Sequence, residues 1–337
     1  MTLSTLRPTP RQQYESPESA EDFTQRLADL TRTLAETAEQ YDISAQFPHA
    51  NFRLLHSHGL LGLTVPAELG GGAADLSRAQ QVISAVARGE PSTALILVMQ
   101  YLQHSRLQDN RNWPSHLREQ VAKDAVHEGA LVGSWLVHKD TPGISIVEDW
   151  DHLGMRATCS HEVRFDNVRV PLEHAVSVSP WSAPQSELDG AGMLWMSVLL
   201  SSVYDGIAQS ARDWLVHWLE QRTPSNLGAA LSTLPRFQET VGQIDTLLFA
   251  NRSLLESAAQ GHTPAQHAAQ IKYLVTGNAI RAVELAIEAS GNPGLSRTNP
   301  LQRHYRNVLC GRVHTPQNDA VLMGVGKAVF AARKQSQ

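Results

Sequence analysis

Apolar residues in the first third of the chain recur every three or four positions. Between Ser19 and Tyr41, Phe23, Leu27, Leu30 and Leu34 share one stripe, which predicts an amphipathic helix. A shorter helix follows over Pro48–His58, with Gly59 suited to end it. The apolar run from Leu60 is broken by Pro66 and the glycines at 70–72, so a sharply bent loop is expected there. Asp75 or Ser77 can cap a helix beginning at Leu76, and Pro91 opens another. Trp113–His127 predicts one more.

The pattern changes near Gly129. SWLVHK, GISIVEDW and HEVRFDNVRVP are rich in Val, Ile, Phe and Trp and are separated by turn-forming residues, which predicts short strands. Val163, Phe165, Val168 and Val170 alternate with a break at Asp166–Asn167, as at a bulge or tight turn. This stretch is too short to close a sandwich or barrel alone. Helical periodicity then returns over Met193–Glu220, Leu234–Gly261, Pro264–Ser290 and Leu301–Arg333. The expected fold is mainly α, in the α+β class. It comprises a flexible arm (1–18), an N-terminal helical domain (19–129), a truncated β-domain (130–180) and a C-terminal antiparallel four-helix bundle (188–337).

Composition narrows the function classes. The chain has 337 residues, with 28 Lys+Arg against 33 Asp+Glu and a net charge of −5, so no basic excess is available to neutralise nucleic-acid phosphates. Apolar runs such as Leu95–Met99 and Met193–Leu200 fall far short of the roughly 20 residues that span a bilayer. The N-terminus is polar and broken by prolines, unlike a signal peptide, which makes the cytoplasm the expected location. Cys159 and Cys310 form no CxxC, and the 15 histidines show no metal-ligand spacing, so no metal site is expected. Neither a phosphate-loop fingerprint nor a G-x-S-x-G elbow occurs.

One stretch carries candidate chemistry. Gly291 and Gly294 follow the helix ending at Ser290 and turn the chain so that backbone N–H groups are exposed, with Arg297, Arg303 and Arg306 just beyond. Exposed amides beside guanidinium groups suit a diphosphate. The same residues also suit an ordinary helix end with surface arginines, and physics alone favours that reading.

The motifs also resemble a known family. Asp151–Val176 contains L-G-x-R followed by F-x-x-V-x-V-P, Gly59–Leu76 is similar to an N-terminal glycine-rich hook, and Ser290–Asn307 sits where a glycine turn and an R-x-x-R segment belong. In this order they resemble the acyl-CoA dehydrogenase family, a flavoprotein superfamily that also includes reduced-flavin-dependent monooxygenases. The resemblance implies FAD, or FMN in a monooxygenase-like member, bound in a homodimer or homotetramer. It implies a small-molecule substrate, acyl-CoA foremost, oxidised at its CH–CH group, with an electron-transfer flavoprotein or a flavin reductase as partner. It places cofactor contacts at Arg222, Phe237, Gln238, Gly291, Gly294 and Gln317, with Glu288 where a Gln is usual.

Two departures qualify that picture. The family's carboxylate base aligns with Thr315, and its alternative position on the long helix aligns with Met196; neither accepts a proton. His314 lies eight residues after Arg306, an offset similar to that of a flavin-proximal histidine in the monooxygenases, and is the candidate catalytic residue. Roughly sixty residues expected between Ala130 and Trp135 are also missing, far more than an ordinary loop of about 4–6 residues accounts for. Those residues include flavin-lining strands, so weakened cofactor binding is expected. A catalytically impaired homologue acting as an oligomeric scaffold is the remaining alternative.

Overall fold

In the computed structural model, which describes residues 19–65, 67, 71–105, 131–135, 137–171, 174–180 and 190–335, helix α1 spans Ala20–Ser44. Ser19 caps it by accepting the Asp22 N–H at 3.0 Å, and Phe23, Leu27, Leu30 and Leu34 form its buried stripe with Ala38 and Tyr41. Helix α2 is His49–Ser57. Helix α3, Leu76–Gly89, is capped by Asp75, whose carboxylate accepts the Arg78 N–H at 2.8 Å. Helix α4, Pro91–Ser105, begins at the expected proline, and the buried Glu90 carboxylate accepts the N–H groups of Ser92 and Thr93. The expected arm (1–18) and the helix over Trp113–His127 lie outside the described residues.

Four short strands follow: β1 (Leu131–Trp135), β2 (Ile144–Val147), β3 (Glu162–Phe165) and β4 (Ala175–Pro180). They form two separate antiparallel pairs, β1 with β4 and β2 with β3. Strand β3 ends at Phe165, just before the expected break at Asp166–Asn167, where Asn167 adopts a left-handed conformation (φ 51°), and no strand resumes at Val168–Val170. Ile146, Val163 and Phe165 are exposed, so the β2–β3 hairpin has apolar side chains that no further described strand covers.

The C-terminal half contains α5 (Gly190–Gln221), α6 (Pro235–Ala259), α7 (Ala268–Ser290), α8 (Pro300–Leu309) and α9 (Asn318–Gln335). The single helical region expected over Leu301–Arg333 is thus two helices, separated by a 3-10 turn at Cys310–Arg312 and a loop. Helix α5 is the core. It packs against α3 and α4 on one side and against α6, α7 and α8 on the other. It is long and apolar enough to cross a membrane, yet 67% of its most apolar window is buried among the other helices.

Helices α5 and α7 run parallel, since a side chain on Gly190 would touch Ala265 just before α7. A buried polar belt fixes their level. Asn251 on α6 donates to the Asp205 carboxylate at 2.8 Å and to the Val275 carbonyl at 3.2 Å, and Asn278 donates to Asn251 at 3.0 Å. Burial raises the Asp205 carboxyl pKa, offset in part by the Asn251 and Gln209 donors.

Candidate functional site

The 3-10 turn and loop after α8 bring His314 onto the core helix. Its Nδ1 hydrogen-bonds the hydroxyl of Tyr204, a fully buried α5 residue 110 positions away, and the two rings lie 5.7 Å apart. The turn fits because Gly311 lies flat against Tyr204 and Thr276; a Cβ there would be 3.2–3.3 Å from both. Burial, with smaller contributions from the charges of Lys272 and His152, lowers the His314 imidazole to about 4. It is therefore neutral at pH 7. Burial also keeps the Tyr204 phenol protonated by raising its pKa well above the usual value.

This pair fixes a tautomer. Tyr204 is a protonated, buried phenol with no other acceptor among the described residues, so donation from its hydroxyl to His314 Nδ1 is the arrangement that satisfies its proton. In that arrangement the neutral ring carries its proton on Nε2. His314 thus presents an N–H donor rather than a basic lone pair.

Around it stand Cys310, whose thiol burial pushes up to about 11, and His152, stacked on Trp150 with ring centroids 4.5 Å apart. Cys310 Sγ is 3.9 Å from His152 Nδ1. Lys272 on α7 is fully buried, and its ammonium donates to Asn318 Oδ1 at 3.3 Å. Thr315, at the position of the family's base, is exposed. The charged groups that act on His314 are Lys272 and His152, and no carboxylate is among them.

Other expected residues lie elsewhere. Arg222 is exposed just past α5, and its backbone joins Trp218 and Leu231. Phe237 and Gln238, at the start of α6, line a cavity of about 500 Å³ with Arg212, Glu220 and Asp245. Gly291 has a positive φ of 62° and open space where a side chain would stand. Gly294 is different: a Cβ there would lie 2.1 Å from Ser290 Oγ, so its bareness serves the turn itself. Gln317 is exposed beside the start of α9. Arg222, Phe237, Gln238, Gly291 and Gly294 share the far end of the bundle, roughly 27 Å along α5 from Tyr204 at 1.5 Å per residue. His314 and Gln317 are therefore separated from them within one chain.

The far end suits the phosphate-bearing part of a nucleotide. The Gly291 backbone is open to approach, and Arg222 and Arg297 are exposed. Glu288, expected to repel phosphate, is neutralised by Arg281 at 2.9 Å. Arg303 and Arg306 do not contribute. Arg306 pairs with Asp42 on α1 at 2.6 Å and donates to the Leu153 carbonyl at 2.6 Å, while Arg303 is half-buried near Asp42, Glu39 and Glu90. These two are neither phosphate-facing nor ordinary surface arginines; they sit against α1 at the junction of the helical units.

The L-G-x-R motif has a visible purpose. A side chain on Gly154 would lie 2.3 Å from the Arg306 carbonyl, and Met155 N–H donates to Asn307 Oδ1 at 2.8 Å. Arg156 donates to the Asp42 carbonyl at 2.8 Å. The middle segment is thereby wedged between α1 and α8, directly beneath the His314 turn.

An N-terminal helical unit, a small β segment and a helical bundle centred on one long helix define the flavoprotein fold of the acyl-CoA dehydrogenases. The chain belongs to that family: it matches the acyl-CoA dehydrogenase N-terminal domain over residues 17–105 and the acyl-CoA dehydrogenase C-terminal domain over 198–318. It is 26% identical to the putative acyl-CoA dehydrogenase YdbM of Bacillus subtilis, covering 91% of this chain and 96% of that one. It is also 26% identical to the amino sugar nitrososynthase RubN8 of Streptomyces rubradiris, over 85% and 84% of the two chains. The structure of KijD3 in complex with FMN and a dTDP-amino-keto sugar superposes with a TM-score of 0.75 at 25% identity, covering 94% of this chain and 95% of that one.

The alignment with YdbM sizes the shortfall. It runs over 373 positions but uses 91% of 337 residues, about 307, which leaves roughly 66 positions of the relative without a counterpart here. Both family models leave residues 106–197 unmatched. The reduced middle segment expected from the sequence is thus a property of the chain.

Proposed function

We propose that the protein is a flavin-dependent oxidoreductase of the oxygen-using type, in which His314 faces the reacting group as a hydrogen-bond donor. The observation that carries this reading is the Tyr204–His314 pair in a site where Thr315 replaces the carboxylate base. Dehydrogenation of an acyl-CoA needs a group that removes the α-proton. The described surroundings of His314 offer no carboxylate for it, and the imidazole's basic nitrogen is already occupied by Tyr204. The match to nitrososynthases supports the reading, as does the structural neighbour KijD3, which was solved with FMN. The match to YdbM supports the acyl-CoA dehydrogenase alternative.

A reduced flavin supplies the electrons with which O2 is activated. Gly291, Arg222, Phe237 and Gln238 would hold its phosphate-bearing part, and Gly294 shapes the turn. Because these residues lie far from His314 within one chain, the reading calls for a homo-oligomer whose second copy completes each site. Gln317 would approach the cofactor from the His314 side. With its proton on Nε2, His314 would offer an N–H to negative charge developing on oxygen, and such a donor is worth about 10²–10³ in rate. Tyr204 is a positioning residue that holds the tautomer.

The test supplies reduced FMN or FAD from a flavin reductase and follows O2 uptake and flavin reoxidation by the purified protein. His314→Ala is expected to lower protein-dependent turnover by about 10² while leaving flavin affinity within a factor of two or three. Unchanged turnover in that variant would remove His314 from the chemistry. Failure of the wild-type protein to bind either flavin would favour the scaffold alternative.

A further inference from the structure

The level of the bundle beside His314 is rich in donors and poor in acceptors. Lys272 is fully buried, and its one hydrogen bond, to Asn318 Oδ1, is long at 3.3 Å. Among the described residues no carboxylate pairs with it. A buried ammonium has three N–H donors, so two remain to be satisfied. Leaving a buried charge unpaired costs stability, and proteins retain such a group where something else compensates it.

The helix facing it adds to the imbalance. Ser197 and Ser201 on α5 are fully buried, and their hydroxyls have no hydrogen-bond partner. With Tyr204 they occupy positions i, i+4 and i+7, which places all three on one face. Thr276 meets the same small turn as Tyr204, and Lys272 lies one helical turn before Thr276 on the parallel helix α7, as Ser201 lies one turn before Tyr204 on α5. His314 joins this level from the loop, bound to Tyr204 through Nδ1 and near enough to Lys272 for its charge to act on the imidazole.

We propose that Lys272, together with His314 and the α5 hydroxyls, forms a binding site for a small oxyanion, a carboxylate or phosphate group carried by the substrate or free in solution. An ammonium, an imidazole N–H and two hydroxyls offer donors that an acceptor-only ligand satisfies. The site deepens the oxygen-using reading by giving the substrate an anionic handle beside His314. It predicts that neutral substrates of the same shape bind more weakly.

The test needs no flavin. Histidine-labelled (13C, 15N) protein is titrated with acetate, and separately with phosphate, at fixed ionic strength, following the His314 ring signals identified by their loss in His314→Ala. The expected result is a saturable shift in the wild type with at least one of the two anions, retained in Lys272→Arg. In Lys272→Met the affinity should fall about tenfold or more, the worth of one charge-assisted hydrogen bond. Lys272→Met should also unfold at a temperature equal to or above that of the wild type without anion, since the unpaired ammonium is gone. If Lys272→Met fails to fold, Lys272→Gln provides the same comparison. A wild-type spectrum unmoved by both anions, or an affinity unchanged on removing the charge, would overturn the proposal. Neither outcome bears on the O2 assay, so the two readings fail separately.

Discussion

His314 was legible in the sequence because a short offset from Arg306 marks it. Its partners were not, because Tyr204 and Lys272 are 110 and 42 positions away and only the parallel packing of α5 and α7 brings them together. The change this makes is chemical. The candidate catalytic imidazole is joined at Nδ1 to a buried phenol, which favours the donor role proposed for its other nitrogen. Burial has a second consequence at this scale. His314 and His304 titrate near 6.5 when unfolded, but the fold lowers them to about 4 and about 3, chiefly by desolvation. Between those values and 6.5 the unfolded chain binds the extra protons, so stability is lost as pH falls from 7 toward 4. At pH 5 each histidine is expected to cost about 2 kcal/mol relative to pH 7. Urea unfolding of His304→Gln at both pH values should show a pH-dependent loss smaller than that of the wild type by that amount. An identical loss in both proteins would contradict the assignment.

At the scale of elements, periodicity predicted the helices well where one face is buried. Helices α1 and α3 fall within a few residues of expectation, with Asp75 as the cap. The failures have local causes. Helical propensity ran through the break at Cys310–Gln317, where packing against Tyr204 and Thr276 overrides it. The break read at Asp166–Asn167 is a turn with a left-handed Asn167, but the alternation beyond it at Val168 and Val170 forms no strand. Arg303 and Arg306 looked available for phosphate, yet Arg306 and Asp42 instead join α8 to α1, with side chains 20% and 13% exposed. Removing one partner of such a pair leaves the other buried and uncompensated. Asp42→Ala is therefore expected to lower unfolding free energy by about 3 kcal/mol, as read by chemical denaturation. The junction also supports the His314 turn through Gly154, Met155 and Asn307, so the same variant should reduce turnover. A variant as stable as the wild type would show that the ion pair does not hold the junction.

For the whole molecule, the helical scaffold of the acyl-CoA dehydrogenase family is present, and among the described residues its middle layer consists of two strand pairs. Ile146, Val163 and Phe165 stay exposed on the β2–β3 hairpin, with no further described strand against them. The shortened middle segment was legible because order and spacing of motifs fix what should stand between them. Separation of the cofactor-end residues from His314 was not, since it depends on which helices run parallel. The central claim is that this shortened scaffold retains a flavin but has exchanged a carboxylate base for a donor-lined, oxygen-directed site. The most direct measurement is anaerobic: load the protein with oxidised FMN or FAD, add short- to long-chain acyl-CoA thioesters, and record the visible spectrum. The account predicts a bound flavin whose absorbance persists with every thioester and which, once reduced, is reoxidised by O2. Rapid bleaching by any acyl-CoA would contradict it and restore the dehydrogenase reading.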